Sequence, residues 1–151
     1  MFKKCFLSLI LFFCCFNYSF AKEVDVVIEP THKITTSNPN LREGDDVDFI
    51  AAQDVFLNSK LYIKKGSPAV GIVTSIENND FLYKEASLYA ENFKVENIDG
   101  KMVKLTGIIY KTGNKHQNIT QLIPAALWVI RGGEVQIKPQ KDTFTLFLEE
   151  I

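Results

Sequence analysis

The densest group of chemically capable side chains is the acidic run Glu43-Gly44-Asp45-Asp46-Val47-Asp48. Carboxylates are hard oxygen donors, so Asp45, Asp46 and Asp48 are candidate ligands for Ca²⁺, a cation that gathers about six to eight such oxygens. The run lacks the Asp-x-Asp-x-Asp-Gly order of a calcium loop, and Val47-Asp48 enters a strand pattern. A charged turn followed by a solvated strand face accounts for the same residues. Hydrolysis of a glycan or peptide is a second chemistry for this run, with an acid and a base drawn from Glu43, Asp45, Asp46 or Asp48. Spacing singles out no pair among them.

Other catalytic apparatus is sparse. The chain has two histidines, His32 and His116, each in a polar, turn-like setting and without the His-x-x-x-His spacing of a helical zinc site. No Gly-x-Ser-x-Gly elbow is present. The three cysteines, Cys5, Cys14 and Cys15, all fall within the first fifteen residues. No nucleophile, metal set or phosphate loop therefore assembles from motif, no catalytic residue is assigned, and no cofactor is expected.

The stretch Gln117 to Ile130 has no formal charge and contains Pro124 and the single tryptophan, Trp128. Ile123, Leu127 and Trp128 are the candidate partner-binding residues, because tryptophan favours settings that are half apolar and half wet. The alternative is that the same side chains fill the core. Ile119, Ile123, Ala126 and Ile130 also fall at helical spacing, so this stretch is either a short helix or a strand pair bent at Pro124. Asn118-Ile119-Thr120 matches a glycosylation sequon, a motif short enough to recur by chance.

The elements that must position these residues are strands, because the dominant period is two. Val24, Val26 and Ile28 alternate with Asp25 and Glu29. Val47, Phe49, Ala51, Val55 and Leu57 share one parity, with Asp48 and Asp54 on the other. Leu61 and Ile63 follow an Asn58-Ser59 turn. Val70, Ile72 and Ile76 alternate with Gly71, Val73 and Ser75. A strand over Ser87 to Ile98 should turn at Asp99-Gly100 into one carrying Val103, Leu105, Gly107 and Ile109. Gly71 and Gly107, inside strand patterns, mark bulges or bends at a barrel corner. Val135-Ile137 and Phe144-Leu148 close the series, while Ile34 to Leu41 reads as a loop around Pro39. The fold class is all-β: a single small barrel or sandwich of about seven to nine mostly antiparallel strands.

Residues 1–21 read as a signal peptide. Lys3 and Lys4 precede an apolar run from Cys5 to Phe16, interrupted only by Ser8, and Ser19-Phe20-Ala21 offers a cleavage site before Lys22. The run is short against the roughly 20 residues that span a bilayer. Bulky Leu11, Phe12 and Phe13 before Cys14 and Cys15 argue against a lipid anchor. Residues 22–151 then form one all-β domain, exported to the periplasm, cell envelope or medium, with no thiol and no transmembrane span. Losing Lys3 and Lys4 leaves 15 basic against 18 acidic residues, scattered rather than clustered, which argues against a nucleic-acid partner. An envelope protein or assembly is the expected partner, in a stoichiometry the sequence leaves open.

One stretch supports that address. Gly44-x-x-Val47-x-Phe49, Asp54-Val55, Lys60-Leu61-x-Ile63-x-Lys65-Gly66-Ser67-Pro68 and Gly71-x-Val73 resemble a pattern in uncharacterised bacterial exported β-domains. More remotely, they resemble the β-barrel domains of type IV secretion and conjugation channel proteins. The resemblance implies a β fold and an envelope location, and it transfers no catalytic residue. The chain lacks the long stalk and proline-rich linker of a full channel subunit. The resulting expectation is a non-enzymatic envelope module, with a small exported hydrolase or a Ca²⁺-stabilised binding domain as the alternatives.

Overall fold

The computed structural model describes residues 23–80, 84–113 and 132–149. The fold is all-β, with eleven strands and no helix among the described residues. They are β1 (Glu23–Pro30), β2 (Ile34–Thr35), β3 (Asp46–Ala51), β4 (Val55–Leu57), β5 (Lys60–Ile63) and β6 (Pro68–Glu77). There follow β7 (Ser87–Glu96), β8 (Met102–Lys104), β9 (Ile109–Thr112), β10 (Gln136–Ile137) and β11 (Phe144–Glu149). Seven form one curled antiparallel sheet in the order β11-β1-β3-β6-β7, with β8 and β9 both pairing the far side of β7. The short β2 pairs β10, and β4 pairs β5, in two small accessory sheets.

The curl brings the ends of the main sheet together. Thr106, between β8 and β9, exchanges backbone hydrogen bonds of 2.7 and 2.8 Å with Phe147 of β11. Beyond that bridge, the side chains of Lys111 on β9 and Asp142, just before β11, form an ion pair. Inside lies one apolar cluster, which includes Val26, Ile28, Phe49, Val73, Phe93 and Leu146. Phe49 meets Phe93 edge-on at 5.7 Å between ring centroids and Phe144 at 6.4 Å.

Period-two parity holds along β1 and β3, where Val26, Ile28, Val47, Phe49 and Ala51 are buried. The Asn58-Ser59 turn joins β4 to β5 with φ values of 48° and 64°, the double positive of a two-residue hairpin loop. The turn containing Asp99-Gly100 is organised by Asn97, whose Oδ1 accepts the N–H groups of Asp99 and Lys101 at 3.0 and 2.9 Å.

Several expectations change. Ile34 and Thr35, read as part of a loop, form β2 against β10, and with the splits that follow the described residues hold eleven strands rather than seven to nine. The parity run from Val47 to Leu57 is two strands, because Ala52-Gln53-Asp54 leaves the ladder and Asp54 accepts the Lys65 N–H at 2.7 Å. The run from Val103 to Ile109 likewise splits into β8 and β9. On β6 the buried face is Ala69, Gly71 and Val73, while Val70 and Ile72 are half-buried on the outer face. The missing side chain of Gly71 admits the Phe93 ring: a Cβ there would lie 2.3 Å from Phe93 Cε1. A register shift between Val73 and Ser75 then turns Ile76 back toward the core.

Candidate functional site

The acidic run serves the backbone in two of its four carboxylates. Asp45 Oδ2 accepts the Arg42 N–H at 2.7 Å, closing the turn that enters β3. Glu43 Oε1 accepts the Ile76 N–H at 3.2 Å. Asp46 and Asp48 stand exposed on the outer face of β3, two residues apart, with Val47 buried between them. No group of three or more His, Cys, Asp or Glu is arranged to hold a metal ion among the described residues. His32 is exposed, with Nδ1 3.0 Å from the Thr31 hydroxyl. The candidate contact residues Ile123, Leu127 and Trp128, together with His116, lie outside the described residues.

The structure draws attention instead to the outer face of β7 and β9. Strand β7 pairs β9 through Ser87–Ala90 and β8 through Lys94–Glu96. Between these ladders lie Glu91, Asn92 and Phe93. Asn92 sits at φ 55° where the β6–β7 register shifts, the mark of a bulge. On the facing segment Gly107 has φ 142°, a backbone state that side chains rarely adopt. Its missing side chain also lets the chain pass Leu146, whose Cδ2 would lie 2.6 Å from an added Cβ. The chain therefore leaves β7 at Thr106 to reach β11 and rejoins β7 at Ile109.

That departure opens a groove of about 230 Å³ lined by Glu91, Asn92 and the segment Lys104 to Ile108. Ile108 is 62% exposed. Two residues farther on, Tyr110 is 54% exposed and stacks on its register partner Tyr89, 37% exposed, with ring centroids 4.4 Å apart. Desolvation raises the Tyr89 phenol above its usual range. The hydrogen bond to Tyr110 and the negative charge of Glu77 add to the shift. Three of the six large hydrophobic side chains exposed among the described residues thus lie together along β7 and β9.

Sequence reasoning marked Gly107 as a bend but missed Tyr89, Tyr110, Asn92 and the groove. Tyr89 and Tyr110 are twenty-one positions apart, and only the β7–β9 register makes them neighbours. Compared with known proteins, the chain matches no family model, no curated protein and no solved structure.

Proposed function

We propose that this chain is a non-enzymatic module exported to a bacterial cell envelope, where it binds a protein partner or serves an assembly. The observation that carries the reading is the strip of exposed Tyr89, Tyr110 and Ile108 on one outer sheet face. Tyrosine supplies large, rigid contact area with few rotatable bonds, and aromatic side chains are enriched where proteins meet. The signal-like residues 1–21 support export. The uncharged stretch from Gln117 to Ile130, with Trp128, follows β9 in the chain and supports the same role. The remote resemblance to secretion-channel β-barrel domains agrees with an assembly role.

Photo-crosslinking in the native envelope tests the reading. Probes replace Tyr110, Ile123 and Trp128 in turn, with Thr145 on the outer face of β11 as the control. A single protein adduct from Tyr110, and none from Thr145, is the expected result. Lipid adducts, or equal labelling at Tyr110 and Thr145, would exclude a specific protein contact on this face.

A further inference from the structure

Strand β9 is four residues long and, among the described strands, pairs only with β7, from Ser87 with Thr112 to Ala90 with Ile109. The described residues contain no cysteine, so no disulfide ties these strands together. Midway along the pairing, Tyr110 lies directly across from Tyr89, and the rings stack with an interplanar angle of 27° and centroids 4.4 Å apart. Leu88, Ala90 and Ile109, all buried, anchor both strands from the inner side and leave the two rings paired on the outer one. Desolvation is the main cause of the raised Tyr89 phenol, and Tyr110 lies near enough to add to it through a hydrogen bond. The two hydroxyls therefore share one end of the stack, and the ring carbons ortho to them face each other. Both rings are open to solvent. Tyr62, the other described tyrosine, stacks on no ring among the described residues.

We propose that Tyr89 and Tyr110 form an oxidative cross-linking site, at which a peroxide-driven one-electron oxidant joins the two rings as dityrosine and ties β9 to β7. Each phenol gives up one electron and its hydroxyl proton and becomes a phenoxyl radical. The two radicals couple through the facing ortho carbons, forming one carbon–carbon bond. The two ring hydrogens then pass to the oxygens as the rings regain aromaticity. One hydrogen peroxide, acting through a haem peroxidase, takes up the two electrons and two protons and leaves as two waters. Register supplies the selectivity, because radicals formed on this pair are already in contact. The bond closes a loop between positions twenty-one apart, which removes freedom from the unfolded chain and stabilises the fold, as a disulfide does. The stack forms within one chain, so the proposal is independent of the protein contact along the tyrosine strip.

The test is treatment of the dilute full chain with hydrogen peroxide and a haem peroxidase, followed by peptide mass mapping. The expected product is a monomer lighter by two hydrogens, with dityrosine fluorescence, whose digest joins the Tyr89 and Tyr110 peptides. Oxidation of Met102, 49% exposed, adds an oxygen instead and is told apart by mass. In urea, where register is lost, the same dose should spread the bond over several tyrosine pairs. Tyr89→Phe and Tyr110→Phe keep two rings in the stack but lack one phenol, and each should lose the joined peptide. The joined protein should melt at a higher temperature than the untreated chain, and the oxidised phenylalanine variants should not. Absence of the joined peptide in the folded chain, at a dose that links tyrosines in urea, overturns the proposal. The same distribution of linked pairs in folded and unfolded chain overturns it as well. Partner labelling from a probe at Tyr110 and peptide mapping of the oxidised chain are separate readouts, so failure of one leaves the other standing.

Discussion

A Cβ at position 71 would enter the ring of Phe93, which is wholly buried. Gly71→Ala should therefore cost about 1–3 kcal/mol by overpacking. Phe93→Leu should recover part of that loss when the two changes are combined, a non-additivity that urea unfolding of the four variants measures. Asn97 offers a second test at the same scale. Its side chain accepts two backbone N–H groups in the β7–β8 turn, so Asn97→Ala should destabilise by about 1–2 kcal/mol. Neither residue lies on the tyrosine strip. Partner binding by the folded fraction should stay unchanged.

At the scale of elements, β9 and β11 share no ladder, and their closure depends on the Thr106–Phe147 bridge and the Lys111–Asp142 pair. Asp142 also accepts the Lys138 N–H at 2.7 Å, so it ties the turn before β11 to β9. Desolvation pushes the Asp142 carboxyl up, but the hydrogen bonds from Lys111 and Lys138 and the charges of Lys111 and Lys141 outweigh it. The net shift is below the ordinary carboxylate value of 3.8. Because the folded-state pKa is depressed, the pair's contribution is present above that ordinary value and is lost as pH falls through the folded one. Asp142→Asn should cost about 0.5–1 kcal/mol at neutral pH. Its stability curve should merge with the wild-type curve below the carboxylate range, as melting temperatures recorded from pH 7 downward will show. A constant gap across that range would mean that the charge contributes nothing to the closure.

For the molecule as a whole, the proposed export, with the loss of the cysteines it would entail, leads to a joint prediction. Protein recovered from the envelope should begin at Lys22 by N-terminal mass analysis. Its melting temperature should be the same with and without reductant, because cleavage before Lys22 would remove Cys5, Cys14 and Cys15. A domain of this size would then depend on its apolar core, and the described strands supply one continuous cluster from Val26 to Leu148.

Strand parity and turn chemistry are local properties, which is why much of the fold is legible in the chain. Alternation along Val24–Ile28 and Val47–Ala51 names the buried face, and Asn58-Ser59 and Asp99-Gly100 name the turns. Composition and period two determined the all-β class, and the two interior glycines fall where the ladders are irregular, Gly71 at a register shift between β6 and β7 and Gly107 between β8 and β9. The inward face of β6 depends on where the Phe93 ring goes, a non-local fact that apolar alternation misreads. The tertiary structure alone decided the tyrosine stack and the groove, because each joins residues brought together by register. Register follows from the packing of all the strands around one core, and no window along a single strand contains that information.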